Sequence, residues 1–217
     1  PGVLEQEVLE YEAGVVASLI LQYFLLKYAG RGYVTVPASE FNEWGPFGSP
    51  GSLIGFSQSG ESSDILTAFR DFGGRVKIGI TNTPGSTLTK LSDYSIVTRA
   101  GEERAVVATK TFDAQIAVSM MLAMVAGGRD ASHLRDVPSK VEGVLALEDR
   151  VRGLAERYRD VEHSFVLGRG AHYAVALEAA LKLKEAAMIH AEGFAVREFL
   201  HGPVQLVDES TLVIALV

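Results

Sequence analysis

The chain has 217 residues, a formal net charge of −7 and no cysteine. That length allows a full core and one or two domains, and 47% hydrophobic with 22% charged residues is ordinary for a globular protein. The acidic balance disfavours nucleic acid or an anionic membrane as partner, and the missing thiols exclude cysteine nucleophiles, disulfides and thiolate metal sites.

Residues 3–28 carry a helical pattern that Gly30 and Gly32 end. The apolar run 15–26 is broken by Ser18 and Gln22 and is too short to span a bilayer comfortably, so it reads as a core helix. The start, with Glu5, Glu7 and Glu10, lacks the basic region of a signal peptide, and the expected location is the cytoplasm. Residues 33–36 read as a short strand, 38–41 as a loop or helical turn, and 45–51 as a Pro/Gly turn. A strand over 52–56 leads into a helix over 62–72, closed by Gly73 and Gly74. Next come a strand at 76–81, a turn at Asn82, Pro84 and Gly85, a short helix at 87–91 and a strand at 94–97. Residues 112–125 form a strongly apolar helix stopped by Gly127 and Gly128. After a polar joint at 131–138, residues 140–159 read as one charged, bridging helix. A second series follows: strand 164–168, long helix 174–191 and a last strand 211–217. Strands alternating with helices predict an α/β protein, three-layer αβα with parallel sheets, built from two related modules.

The densest chemistry lies at the strand-to-helix turn after Phe56, where Ser57, Gln58, Ser59, Gly60 and Ser62 crowd together. A helix N-terminus has unpaired N–H groups and a partial positive charge. With hydroxyls beside them, these groups make an anion cradle. A serine at a helix start is ordinarily a cap, and three around a glycine exceed what capping needs. Both readings stay open at this level. Lys182 and Glu185 are three apart on a helix and share a face. A surface ion pair is the ordinary meaning of that spacing, but Ala176, Ala179, Ala180, Ala186 and Ala187 predict close packing with few faces left for solvent. His201 precedes Gly202-Pro203, a rigid corner. A lone histidine is ordinarily structural, although imidazole suits acid–base work near neutral pH. Gly168-Arg169-Gly170 reads as a tight turn without the third glycine of a dinucleotide loop. His133, His163 and His190 have no metal-ligand spacing, so neither a metal nor a cofactor is expected.

Residues 57–64, SQSGESSD, resemble the phosphosugar-binding loop of SIS (sugar isomerase) domains. The blocks 167–173, 176–185, 190–192 and 198–203 resemble the isomerase half of glucosamine-6-phosphate synthase and the glucosamine-6-phosphate deaminases, as do 38–41 and 106–112. The resemblance implies two flavodoxin-like modules, 1–130 and 161–217, joined by a bridging helical segment 131–160. It also implies that the first and last elements are incomplete, because the family's opening strand and Gly-Thr-Ser loop, and the closing strands, have no match here. The implied substrate is an amino-sugar phosphate such as glucosamine 6-phosphate. Ser57, Gln58, Ser59 and Ser62 would bind the phosphate, and the backbone near Val106 would line the sugar. The resemblance makes Glu185 the base that moves a proton between C1 and C2, Lys182 a group of the same site, and His201 the ring-opening acid–base. In these relatives that histidine serves a neighbouring subunit, which implies a homodimer with shared active sites. A free-standing deaminase or isomerase is the favoured expectation. The alternatives are the isomerase part of a glutamine–fructose-6-phosphate aminotransferase, and a non-catalytic sugar-phosphate-binding regulator. The glutamine-hydrolysing domain of that aminotransferase uses an N-terminal cysteine, which this chain lacks. A mere binder would need neither Glu185 nor His201.

Overall fold

The computed structural model describes residues 14–44, 51–105 and 107–217. It is an α/β fold with parallel sheets and flanking helices, and it divides into two compact units, Pro1–Ala123 and Met124–Val217.

In the first unit residues 14–24 form helix α1, which continues as a π-helical turn, Leu25–Ala29, up to Gly30. The earlier part of the expected helix, 3–13, lies outside the described residues. There follow α2 (Ala38–Trp44), β1 (Ser52–Phe56), α3 (Ser63–Asp71), β2 (Val76–Thr81), α4 (Thr87–Leu91), β3 (Tyr94–Val97) and α5 (Lys110–Ala126), whose last turn crosses into the second unit. The strands lie in the order β1-β2-β3, all parallel. Leu66 and Phe69 of α3 pack with Leu88 of α4 against Leu53, Ile65 and Leu91. Each such buried side chain contributes roughly 1.5–3 kcal/mol.

Residues 33–36, expected as a strand, are not one. The Thr35 N–H donates to Gln22 Oε1 at 2.8 Å, and Val34 is 81% exposed. A strand needs a neighbouring backbone, and here a side chain has taken the donor. Among the described residues strand β1 consequently has one strand neighbour, β2. Gly51 O accepts from Arg75 N–H and the Ser57 N–H donates to Ile80 O, so odd-numbered residues face β2. The N–H and C=O groups of Ser52, Ile54 and Phe56 therefore turn to the edge away from β2, where no strand lies among the described residues. Beside that edge lies a cavity of about 460 Å³ lined by Leu21, Leu25, Val34, Val36, Phe41 and Ile54, among others.

The second unit opens with a 3₁₀ turn, Ser132–Asp136, and two helices, α6 (Val137–Leu145) and α7 (Glu148–Arg157). The single bridging helix expected over 140–159 is thus broken. Gly143 weakens the last turn of α6, and the Ala146 N–H is shared between the Glu142 and Val144 carbonyls. Glu148 and Asp149 then favour a fresh helix N-terminus. Next come β4 (His163–Gly168), α8 (Ala171–Ala187), β5 (His190–Ala195), α9 (Val196–Phe199), a 3₁₀ turn (Pro203–Leu206) and β6 (Thr211–Ala215). Strand β5 corrects the sequence reading, which ran the long helix to 191. The helix stops because Met188 takes a left-handed conformation, φ 55°.

The second sheet has the order β5-β4-β6, again parallel. On one face Ala176 and Ala180 of α8 meet Val166 and Ala191. On the other, Phe165 and Leu167 meet Phe199 and Phe194, with ring centroids of Phe165 and Phe199 5.0 Å apart. The alanines bring α8 so close to β5 that a Cβ on Gly193 would stand 2.7 Å from Leu177 Cα and 2.8 Å from Ala176 O. Among the described residues no helix is long and apolar enough to cross a membrane.

Gly193→Ala should therefore destabilise the fold by about 1–3 kcal/mol, the cost of overpacking against a backbone that cannot retreat. Thermal unfolding measures this. A variant as stable as the parent would show that α8 and β5 can move apart.

Candidate active site

The loop after β1 is fixed from within. Ser57 is buried, its Oγ lies 2.8 Å from Ser62 Oγ, and it accepts the Gly60 N–H at 3.0 Å. Ser59 Oγ accepts the Glu61 N–H at 3.1 Å. The Gln58 carbonyl accepts from the Asn82 N–H and the Thr81 hydroxyl, which ties the loop to the end of β2. Gly60 has φ 71°, and a Cβ there would lie 2.2 Å from Ser86 Oγ, so conformation and space both demand glycine. Ser62 stands at the N-cap of α3, yet its side chain makes no cap hydrogen bond and turns to Ser57 instead. The first N–H groups of α3 are thus not taken by a serine cap, and such groups favour an anion.

Glu61, which the sequence reading passed over, latches this loop to α4. Its Oε1 accepts the Thr87 N–H at 2.7 Å, and Gly60 O accepts the Leu88 N–H at 2.9 Å. The Thr87 hydroxyl and then the Thr87 N–H hold the Glu61 carboxyl below the usual glutamate range, with a smaller attraction from Lys90. The Glu103 carboxylate also ties a loop to a helix start: it accepts from the Thr109 and Thr111 N–H groups and the Thr111 hydroxyl at the start of α5. Val106, expected to line the sugar, lies outside the described residues.

On α8 the Lys182 Nζ stands 2.5 Å from Glu185 Oε2 and 3.4 Å from Glu178 Oε1. The glutamate side chains are each 5% exposed and the lysine 21%. This is no surface ion pair. Glu185 Oε1 is buried and has no hydrogen-bond partner among the described residues. A carboxylate with one oxygen clamped and the other open can accept a proton at a defined point. Glu178 escaped the sequence reading, although its spacing of four from Lys182 was the available signal. His201 follows α9, is exposed, and donates its backbone N–H to Glu198 O at 3.0 Å. No hydrogen bond or ion pair joins its side chain to Lys182 or Glu185 among the described residues.

A strand-end serine loop in one unit and a buried carboxylate pair in the other accord with a sugar-phosphate fold, and comparison with known proteins makes the class definite. The SIS domain family matches residues 19–125 and 157–217, and the chain belongs to that family. It is 39% identical over 218 residues to the glutamine–fructose-6-phosphate aminotransferase (isomerizing) of Shewanella oneidensis, covering 94% of this chain and 35% of that protein. The protein of the same name from Escherichia coli K12 is 41% identical over 175 residues, 75% of this chain and 29% of its own. The chain thus spans about a third of the length of these curated relatives. Among solved structures, the C-terminal domain of glucosamine-fructose-6-phosphate aminotransferase from Francisella tularensis superposes with a TM-score of 0.86 at 32% identity, over 96% of this chain and 62% of that one. A glucosamine-6-phosphate deaminase from Thermotoga maritima gives 0.84 at 26% identity, over 93% and 64%.

The Glu61 latch has a pH dependence with a definite sign. Its folded value is depressed, so its hold is fully present above the ordinary glutamate range and is lost as pH falls through the lowered value. Glu61→Gln removes the charge at every pH. Hydrogen exchange at the Thr87 amide should be faster in that variant than in the parent at neutral pH. Equal protection in both would mean that the carboxylate does not hold the loop.

Proposed function

We propose that this chain is a phosphosugar aldose–ketose isomerase module of the kind found in glutamine–fructose-6-phosphate aminotransferases. The observation that carries the reading is Glu185, buried, held on one oxygen by Lys182 and open on the other. A protein that only bound sugar phosphate would have no use for a buried carboxylate poised in this way, and burying one is costly.

In this reading the Ser59 and Ser62 hydroxyls, the Gln58 side chain and the first N–H groups of α3 hold the phosphate, and Ser57 shapes the loop from beneath. The backbone near Val106 lines the sugar. His201 moves the proton that opens the ring, and it does so for a second copy in a homodimer. The open-chain aldose then loses its C2 proton to Glu185 Oε1 while the C1 carbonyl oxygen takes up a proton, which gives an enediol; the Glu185 carboxyl, which exchanges with solvent, then protonates C1 as the C2 hydroxyl gives up its proton, and the ketose forms. Nothing is oxidised overall. Lys182 fixes the carboxylate and offers positive charge near the developing oxygen.

The relatives that are 39–41% identical to this chain over the aligned segment are aminotransferases, whereas the likeness to a deaminase is 26%. That balance favours the aminotransferase module over the free-standing deaminase expected from the sequence. The structural similarity to the Thermotoga protein keeps deamination as the second reading, with the same proton transfer followed by ammonia release.

Incubation with fructose 6-phosphate or glucosamine 6-phosphate in deuterated water, followed by NMR at C1 and C2, tests the reaction. Deuterium should enter, and Glu185→Gln should slow its entry by about 10²–10⁴-fold. Ser59→Ala should weaken sugar-phosphate binding without unfolding the chain. Ammonia in the same tube would select the deaminase. Binding without exchange would turn the reading to a regulator.

A further inference from the structure

Lys182 is shared. Glu178 lies one helical turn before it and Glu185 one turn after, and all three form a stripe on the side of α8 away from the sheet-facing Ala176, Ala180 and Leu183. Glu185 alone would satisfy the ordinary requirement of a lysine for one carboxylate. A second, equally buried carboxylate on the same ammonium is costly to desolvate, and the proton transfer just described does not use it.

We infer that Glu178 is a positioning residue for this reaction, acting through Lys182. The inference rests on the reading of Glu185 as the base. Held from one side only, a lysine on a four-carbon stem can swing, and its full charge falls on Glu185. Held from both sides, its Nζ has a fixed station. Glu178 then takes part of the ammonium's attraction, which leaves the Glu185 carboxylate oriented without being fully neutralised as a proton acceptor. Glu178 touches neither the substrate nor the migrating proton. Its effect must therefore appear in turnover and must vanish when Lys182 is gone.

The test is a double-mutant cycle on aldose–ketose interconversion of the sugar phosphate, with Glu178→Gln, Lys182→Met and the combination, and with Glu185→Gln alongside. Glu178→Gln should lower kcat about tenfold or more, within the range of coupling seen in charged networks, and leave KM within about twofold. In the Lys182→Met background the same change should alter kcat by less than about twofold. Glu178→Asp, which keeps the charge on a shorter arm, should recover part of the loss. A Glu178→Gln enzyme with parental kcat overturns the inference, as does a loss that is fully additive with Lys182→Met. Should Glu178→Gln fail to fold, Glu178→Asp carries the test, and parental kcat in that variant overturns it equally. Failure of the underlying reading looks different. In that case Glu185→Gln retains its activity, whereas failure of this inference alone leaves Glu185→Gln inactive and Glu178→Gln unaffected.

Discussion

Parallel strands cannot be joined by a tight turn, so each connection must cross a face of the sheet before the next strand begins. In both units that requirement puts a helix after a strand and gathers the loops that start those helices at the strands' C-terminal ends. The serine loop follows β1 and the Gly168–Gly170 turn follows β4, each at the C-terminal end of the first strand of its sheet in chain order. What each station offers differs. The first supplies hydroxyls and helix N–H groups, which suit a phosphate. The second is a plain turn, and its function is to launch α8 close over β4 and β5.

Helix α8 carries two demands at once. Its sheet face is nearly all alanine and packs so closely on β5 that Gly193 has no room for a side chain. Its opposite face buries two carboxylates and an ammonium. Breaking such a buried set by removing one partner typically costs several kcal/mol, whereas apolar replacement of the whole set is often neutral. Stability therefore gives no reason to keep these charges, whereas the proton transfer proposed above gives one. In the serine loop, Gly60, Glu61 and Ser57 hold the shape.

Much of this was legible in the residues. The strands of the first unit follow from short apolar runs ended by turn residues, and β2, α4 and β3 lie where the pattern places them. The serine loop was legible as a motif, though its internal wiring was not, since Ser62 sits at an N-cap and turns to Ser57 instead. Strand β5 was hidden because nothing in the residues around Met188 signals a left-handed helix end, which glycine normally marks. The break between α6 and α7 was hidden because charged amphipathic periodicity runs through it. Glu178 was missed for a different reason. A carboxylate four before a lysine usually means a solvated helix face, and only burial changes its meaning. The comparisons moved the functional reading from a free-standing deaminase towards the isomerase module of an aminotransferase, a distinction that the motifs shared by both families could not make.

The edge of β1 away from β2, which no strand covers among the described residues, bears on how this protein behaves in bulk. Its sequence, SLIGF, is uncharged and mostly apolar, and no lysine, proline or bulge interrupts it. Among the described residues every second backbone N–H and C=O along it lacks a strand partner, and an apolar cavity lies alongside. Such an edge is a template for strand addition, the first step of edge-to-edge aggregation. A single charge placed on that edge would therefore change the chain's solubility more than the same charge elsewhere.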